Sequence, residues 1–186
     1  MDNQKLLKLF PAFLEITDKT LREQAMEAMG LAMKQGGWNE RNIQICPVSL
    51  NYKDCDISWV EHVTDVVESC RLQFDSLEKY YLRHNVTVSR DLVIAGALLH
   101  DIGKLTEYAC EGGRAVHSRN YQLMRHPLAG AVIAAKAGLP DEMIHLIATH
   151  SFEGHKSYQT VESEFVRMMD AFVFHCSVKG LERRNS

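Results

Sequence analysis

The sequence predicts an all-α protein built as a helical bundle, on three observations. Apolar residues recur at the three- and four-residue spacing of helices through almost the whole chain. Residues that cap or stop helices fall at the ends of those periodic runs. The one long aperiodic stretch, residues 38–57, carries Pro47 and several Asn and Asp, and reads as an irregular connection.

In chain order, "TLREQAMEAMGLAMKQGG" has Thr20 and Glu23 at capping-box spacing and stops at Gly36 and Gly37, so it reads as an N-terminal helix. With the irregular connection it makes residues 1–57 a helical segment set apart from residues 58–186. "SWVEHVTDVVESCRLQFDSLEKYYLRH" places Val60, Val63, Val66 and Val67 on one face, with Ser58 as N-cap and Glu61 completing a capping box. "SRDLVIAGALLHDIG" is a short, strongly apolar helix from about Ser89, expected to end at Gly103. "HPLAGAVIAAKAG" puts Pro127 at the first helical position, with His126 just before it and Gly138 as the stop. "LPDEMIHLIATH" repeats that grammar with Pro140, followed by Asp141 and Glu142 where carboxylates suit the helix dipole. "ESEFVRMMDAFVFHCSV" is the last clear helix, and there is no internal repeat.

At 186 residues the chain is long enough to bury a core, and its net charge of −3 gives no overall basic field for nucleic acid or an anionic membrane. A local basic groove stays open. Five cysteines, Cys46, Cys55, Cys70, Cys110 and Cys176, are scattered and never form C-x-x-C, which fits reduced thiols better than disulfides or a cysteine zinc site. The start lacks a signal-peptide pattern, and the apolar runs fall far short of the ~20 residues of a membrane span. The expectation is a soluble cytoplasmic protein with no membrane partner.

Nine histidines are the unusual count, because histidine is the commonest metal ligand and the usual acid–base group near neutral pH. "LLHDIGKL" is the sharpest case: an apolar run carries His100, Asp101 and Lys104 within five positions. Burying these together is costly unless they satisfy one another or bind a charge, and a metal ion would resolve that cost. His62 borders the buried face of its helix, His150 follows Leu146 and Ile147 at helical spacing, and Asp170 is flanked by Val166, Val173 and Phe174. A lone inward histidine is ordinarily a hydrogen-bonded core residue, Asp170 alone would pair with Arg167, and Lys104 alone would be solvated. Several inward polar placements at once, each needing its own partner, are harder to read as accidents of packing. His84, His117, His145, His155 and His175 read as surface or supporting residues.

The order His62, His100-Asp101, His126, His150, Asp170 resembles the HD-domain superfamily of metal-dependent phosphohydrolases, over about residues 58 to 178. "LLHDIGK" is similar to the segment that defines the family, "HPLAGAVI" to the third-histidine segment of dinuclear members, and "IATHSFEG" to the fourth. The run from "LTEY" through "MMDAF" is similar in layout to the HD domain of some bacterial exoribonucleases. No Gly-Tyr-Pro segment is present, so cyclic-di-GMP hydrolysis is not supported, and the first 57 residues match no pattern.

The resemblance implies an HD-domain helical bundle with an N-terminal extension, residues 58–186 forming the metal-binding domain. It implies that His62, His100, Asp101 and Asp170 bind one ion and that His126 and His150 complete a second site, with Asp101 bridging both. Two divalent transition-metal ions are expected, with Fe, Mn, Ni, Co and Zn all open. They would activate a water for in-line attack on phosphorus, with Asp101 and Lys104 as catalytic residues and Lys104 as a point cation on the phosphate. Arg114, His117, Arg119, Arg125 and His155 are the candidate substrate-binding residues. The expected partner is a small phosphoester, such as a nucleotide or short oligonucleotide, and a homodimer stays open. Two other readings remain beside the phosphodiesterase: an HD-type mixed-valence diiron oxygenase, and a non-catalytic HD regulatory module.

Overall fold

The computed structural model describes residues 3–52 and 56–184; Cys55 lies outside them. It is all-α, as the periodicity predicts. The elements are α1 (Asn3–Leu9), a 3₁₀ turn at Pro11–Glu15, α2 (Lys19–Gly36), α3 (Trp59–Arg83), α4 (Arg90–Leu99), α5 (Lys104–Glu107), a hairpin of β1 (Tyr108–Glu111) and β2 (Arg114–His117), α6 (Asn120–Leu123), α7 (His126–Lys136), α8 (Asp141–Thr149) and α9 (Val161–Arg184).

α4 is the hub. Every residue from Val93 to His100 is buried, as expected of a short helix apolar on all sides. It packs against α2, α3, α8, α9 and the 3₁₀ turn. Leu6, Phe10, Phe13 and Ile16 from the first residues join the same core as Met29, Met33, Ile94, Leu98 and Ile147.

The expected capping box of α3 is present: Ser58 accepts from the Glu61 N–H, and the Glu61 carboxylate accepts from the Ser58 N–H at 2.8 Å. Such a cap is worth about 1 kcal/mol. The capping box expected at Thr20 and Glu23 is not: α2 is capped by Asp18, whose side chain accepts from the Thr20 and Leu21 N–H groups. Asp18 wins because Asp91 of α4 fixes its backbone N–H (2.8 Å) and both the N–H and hydroxyl of Thr17, setting the chain direction one residue before α2 begins.

α4 ends at Leu99 rather than at Gly103. The chain tightens there: Ile102 N–H donates to Leu99 O and Lys104 N–H to Asp101 O, which are three-residue turns in place of four-residue ones. α7 starts at His126, one residue before the expected Pro127, and Pro140 caps α8 instead of entering it. α9 runs beyond Val178 to Arg184. The hairpin was not read from the sequence, although Gly112-Gly113 between two short runs is a two-residue hairpin signal. Both glycines adopt positive φ, +56° and +76°, as a type I′ turn requires.

Candidate metal centre

Two tryptophans fix the segment after α4. Trp59 at the start of α3 is fully buried and its Nε1–H donates to Asp101 O at 3.1 Å. Trp38 Nε1–H donates to Leu105 O at 2.8 Å. Neither was singled out in the sequence; a tryptophan N–H that must find an acceptor when buried is the signal that would have found them.

The six histidines and aspartates of the motif converge. His62 (α3), His100 (the C-cap of α4) and Asp170 (α9) present ligand atoms within 4.8 Å of one another, as do Asp101, His126 (α7) and His150 (the C-cap of α8). His62 Nε2 lies 3.0 Å from Asp170 Oδ1 and 3.4 Å from His100 Nε2. Asp101 stands between the groups. Its Oδ2 is 3.6 Å from both His62 Nε2 and His100 Nε2, and its Oδ1 is 3.4 Å from both His126 Nε2 and His150 Nε2. All six are buried but for Asp170, whose side chain is 18 % exposed.

These contacts fit a cation better than they fit each other. Two ligands about 2.1 Å from a shared ion, at tetrahedral to octahedral angles, lie about 3.0–3.4 Å apart. The observed spacings fall on or near that range, and all but the 3.0 Å His62–Asp170 contact are longer than good hydrogen bonds. Two imidazole Nε2 atoms face one another, and Asp101 Oδ2 is a buried carboxylate oxygen without a well-directed hydrogen bond, although Lys104 Nζ is 2.6 Å away. The rings are also oriented from behind. His100 Nδ1 lies 2.8 Å from Ala97 O and His150 Nδ1 2.8 Å from Ile147 O, which turns each Nε2 lone pair inward.

Electrostatics favour ionised carboxylates and neutral imidazoles at His100 and His126, though not at His150. Burial pulls the His100 imidazole down to about 4 and also lowers His126. His150 goes up instead: burial opposes its charge, but the hydrogen bond and charge of Asp101 outweigh it. Burial pushes both carboxyls up, yet Lys104 and His100 hold Asp101 well below the usual carboxylate range, and His100 and His62 bring Asp170 to about 2. Lys104 is raised, burial being outweighed by Asp101, so it stays an ammonium.

A cavity of about 540 Å³ opens onto Asp101, His126, His150 and Asp170. Lys104, Arg125 and His155 line it. Arg125 pairs with Glu107 at 3.2 Å and Glu153 at 3.3 Å. Arg114, His117 and Arg119 are exposed and outside that lining; His117 stacks on Tyr121 at 3.8 Å. Sequence reading missed the aromatic wall: Tyr52 meets Phe174 edge to face at 5.5 Å, and Phe152 lines the cavity while 80 % exposed. It also missed Glu107, a carboxylate 1 % exposed beside His126.

The chain is similar to the dihydroneopterin 2′,3′-cyclic phosphate phosphodiesterase of Methanocaldococcus jannaschii, 31% identical over 156 residues. That alignment covers 79% of this chain and 58% of the archaeal protein, so the chain matches little more than half of its relative's length. No solved structure matches. Residues 59–174 match the HD domain family, a span that starts with α3, which carries His62, and ends in α9 just past Asp170. With more than half of its length in that match, the chain belongs to the HD domain family.

Proposed function

We propose that the chain is a metal-dependent phosphohydrolase that opens a phosphodiester of a nucleotide-like molecule, using two divalent cations that share Asp101. The observation that carries this is the division of one carboxylate between two imidazole pairs, Oδ2 toward His62 and His100 and Oδ1 toward His126 and His150. His62, His100, Asp170 and Asp101 would hold one ion, and His126, His150 and Asp101 the other. When bound, such a pair supplies a water ionised near neutral pH and a Lewis acid for the phosphoryl oxygen.

The chain's own groups supply the rest. Lys104 keeps its proton and lines the cavity, so its Nζ–H groups are available to a phosphate oxygen where negative charge grows. His155 is exposed on the same wall and serves as a phosphate contact or as donor to the leaving oxygen. Arg125 already answers two glutamates and is the weaker anion site. The Tyr52–Phe174 pair and Phe152 offer flat apolar surface for a planar heterocycle, and the cavity falls in the ~300–1,000 Å³ range of small-molecule sites. The archaeal relative is named for a 2′,3′-cyclic phosphate, and a cyclic phosphodiester is the substrate class we propose here.

The test is hydrolysis of 2′,3′-cyclic nucleotides by protein reconstituted with Zn²⁺ or Mg²⁺ under strict anaerobiosis. Turnover to a phosphomonoester is expected, because hydrolysis involves no redox change. Activity that requires iron and dioxygen and leaves every phosphoester intact would overturn the proposal in favour of oxygenase chemistry.

A further inference from the structure

We propose that Glu107 is a positioning residue for the second ion: its carboxylate receives the Nδ1–H of His126, which leaves His126 Nε2 as the lone-pair donor beside Asp101. The inference rests on the two-ion reading for its functional consequence, though not for its geometry.

The argument starts from where each histidine sits on its helix. His100 and His150 close α4 and α8, so each has a carbonyl three residues earlier, Ala97 O and Ile147 O, to receive its Nδ1–H. His126 opens α7. No turn of its own helix precedes it, so no such carbonyl is on hand, and its Nδ1 is buried without a hydrogen-bond partner among the described residues. The group facing that nitrogen is Glu107 Oε2, at 3.6 Å. A few tenths of an ångström of closure would make this a hydrogen bond.

Glu107 is held for this task. Its Oε1 accepts from the His126 backbone N–H at 2.6 Å and lies 3.2 Å from an Arg125 Nη1, so the carboxylate is fastened to the start of α7, where the helix dipole favours negative charge. A carboxylate behind an imidazole fixes its tautomer and raises its basicity more than a neutral carbonyl does, and losing such a partner costs about 10–100-fold in metal affinity. Glu107 therefore gives His126 what a carbonyl gives His100 and His150, with added charge.

Glu107→Gln separates this role from simple packing. The amide is nearly isosteric, and its oxygen still accepts from the His126 N–H and Arg125. Its NH₂ then faces His126 Nδ1 and donates to it, which favours the tautomer with hydrogen on Nε2, the form that cannot bind an ion. Two readouts apply: calorimetric titration of ion-free protein with Mn²⁺, and the His126 tautomer from ¹⁵N chemical shifts of histidine-labelled, ion-free protein at alkaline pH. We expect one of the two Mn²⁺ affinities to fall about 10–100-fold while the other is unchanged. His126 is expected as Nδ1–H in the wild type and Nε2–H in the variant. A wild-type His126 found as Nε2–H overturns the proposal, as does Glu107→Gln binding both ions normally or weakening both sites equally. Wild-type protein that binds fewer than two ions overturns the two-ion reading alone, and the tautomer then still decides the role of Glu107.

Discussion

Gly103 is where the fold and the centre meet most tightly, and Gly103→Ala is the most informative single substitution. A Cβ at Gly103 would lie 2.0 Å from His126 O, 2.7 Å from Gly130 N and 2.8 Å from His126 C. All three are backbone atoms, so no side-chain rotation relieves the clash. Ordinary contact begins at 3.4 Å, so the turn carrying Asp101 and the start of α7 must separate by about 1.4 Å. Overpacking of this kind costs about 1–3 kcal/mol. For a chain of this size that lowers Tm by roughly 2–12 °C, at about 2–4 °C per kcal/mol. The larger consequence is at the centre, since metal sites tolerate only about ±0.2 Å in ligand placement. A shift several times larger between Asp101 and His126 should abolish the second ion. Thermal melts of ion-free protein measure the first effect and metal analysis after dialysis the second. A variant that melts within a degree of wild type and retains all of its metal would refute the claim that this backbone approach sets the centre.

Other expectations follow from the same geometry. Lys104→Ala should lower kcat by about 10²–10³-fold, the usual loss for a donor at a developing oxyanion, with metal content little changed; loss of metal in parallel would make Lys104 a support for Asp101 instead. Phe152→Ala removes a side chain 80 % exposed, so Tm should hold. KM for a heterocycle-bearing cyclic phosphate should rise by roughly 5–150-fold, the equivalent of about 1–3 kcal/mol of stacking, and a base-free sugar cyclic phosphate should not notice the change. Asp91→Ala removes the carboxylate that holds Thr17 and Asp18; because those donors are exposed and water can replace it, the cost is about 0.5–1.5 kcal/mol. Burial opposes the Asp91 charge, but those three hydrogen bonds keep its pKa below the usual value. Its stabilisation is therefore full above the unfolded pKa of about 3.9 and fades as pH falls through the lower folded value. The melting difference between wild type and Asp91→Ala should narrow only in that acid range; a constant difference down to pH 2 would contradict the assignment.

Helix type and order were legible because period and caps are local: Ser58 and Glu61, Ser89, and Gly138 act within one turn of themselves. Boundaries set by distant partners were not. Asp18 caps α2 because Asp91, seventy-three residues away, holds it, and α4 stops at Leu99 because Gly103 must abut the His126 carbonyl. His62, His100, His150 and Asp170 were legible since each sits on or beside its helix's apolar face, and Asp101 stood out directly after His100; His126 was reached only through the family resemblance, and the fold brings all six together. Glu107 and Trp59 carried no such mark. A glutamate in a short polar-looking segment reads as exposed, and a tryptophan at a helix start reads as core. Glu107 is buried where α5 meets its neighbours and accepts from the His126 N–H of α7, and the tight turn after α4 offers Asp101 O to Trp59. Arg114, His117 and Arg119 were singled out by nearness in sequence, and the hairpin turn at Gly112-Gly113 carries them away from the cavity lining.

The central claim is that one carboxylate serves two ions, and anomalous diffraction from crystals grown with Mn²⁺ tests it most directly. The account requires two peaks flanking Asp101, one among His62, His100 and Asp170 and the other between His126 and His150, each within about 2.0–2.3 Å of its ligand atoms. Crystals of Asp101→Ala should lose both. A single peak, or two that survive in Asp101→Ala, would contradict it.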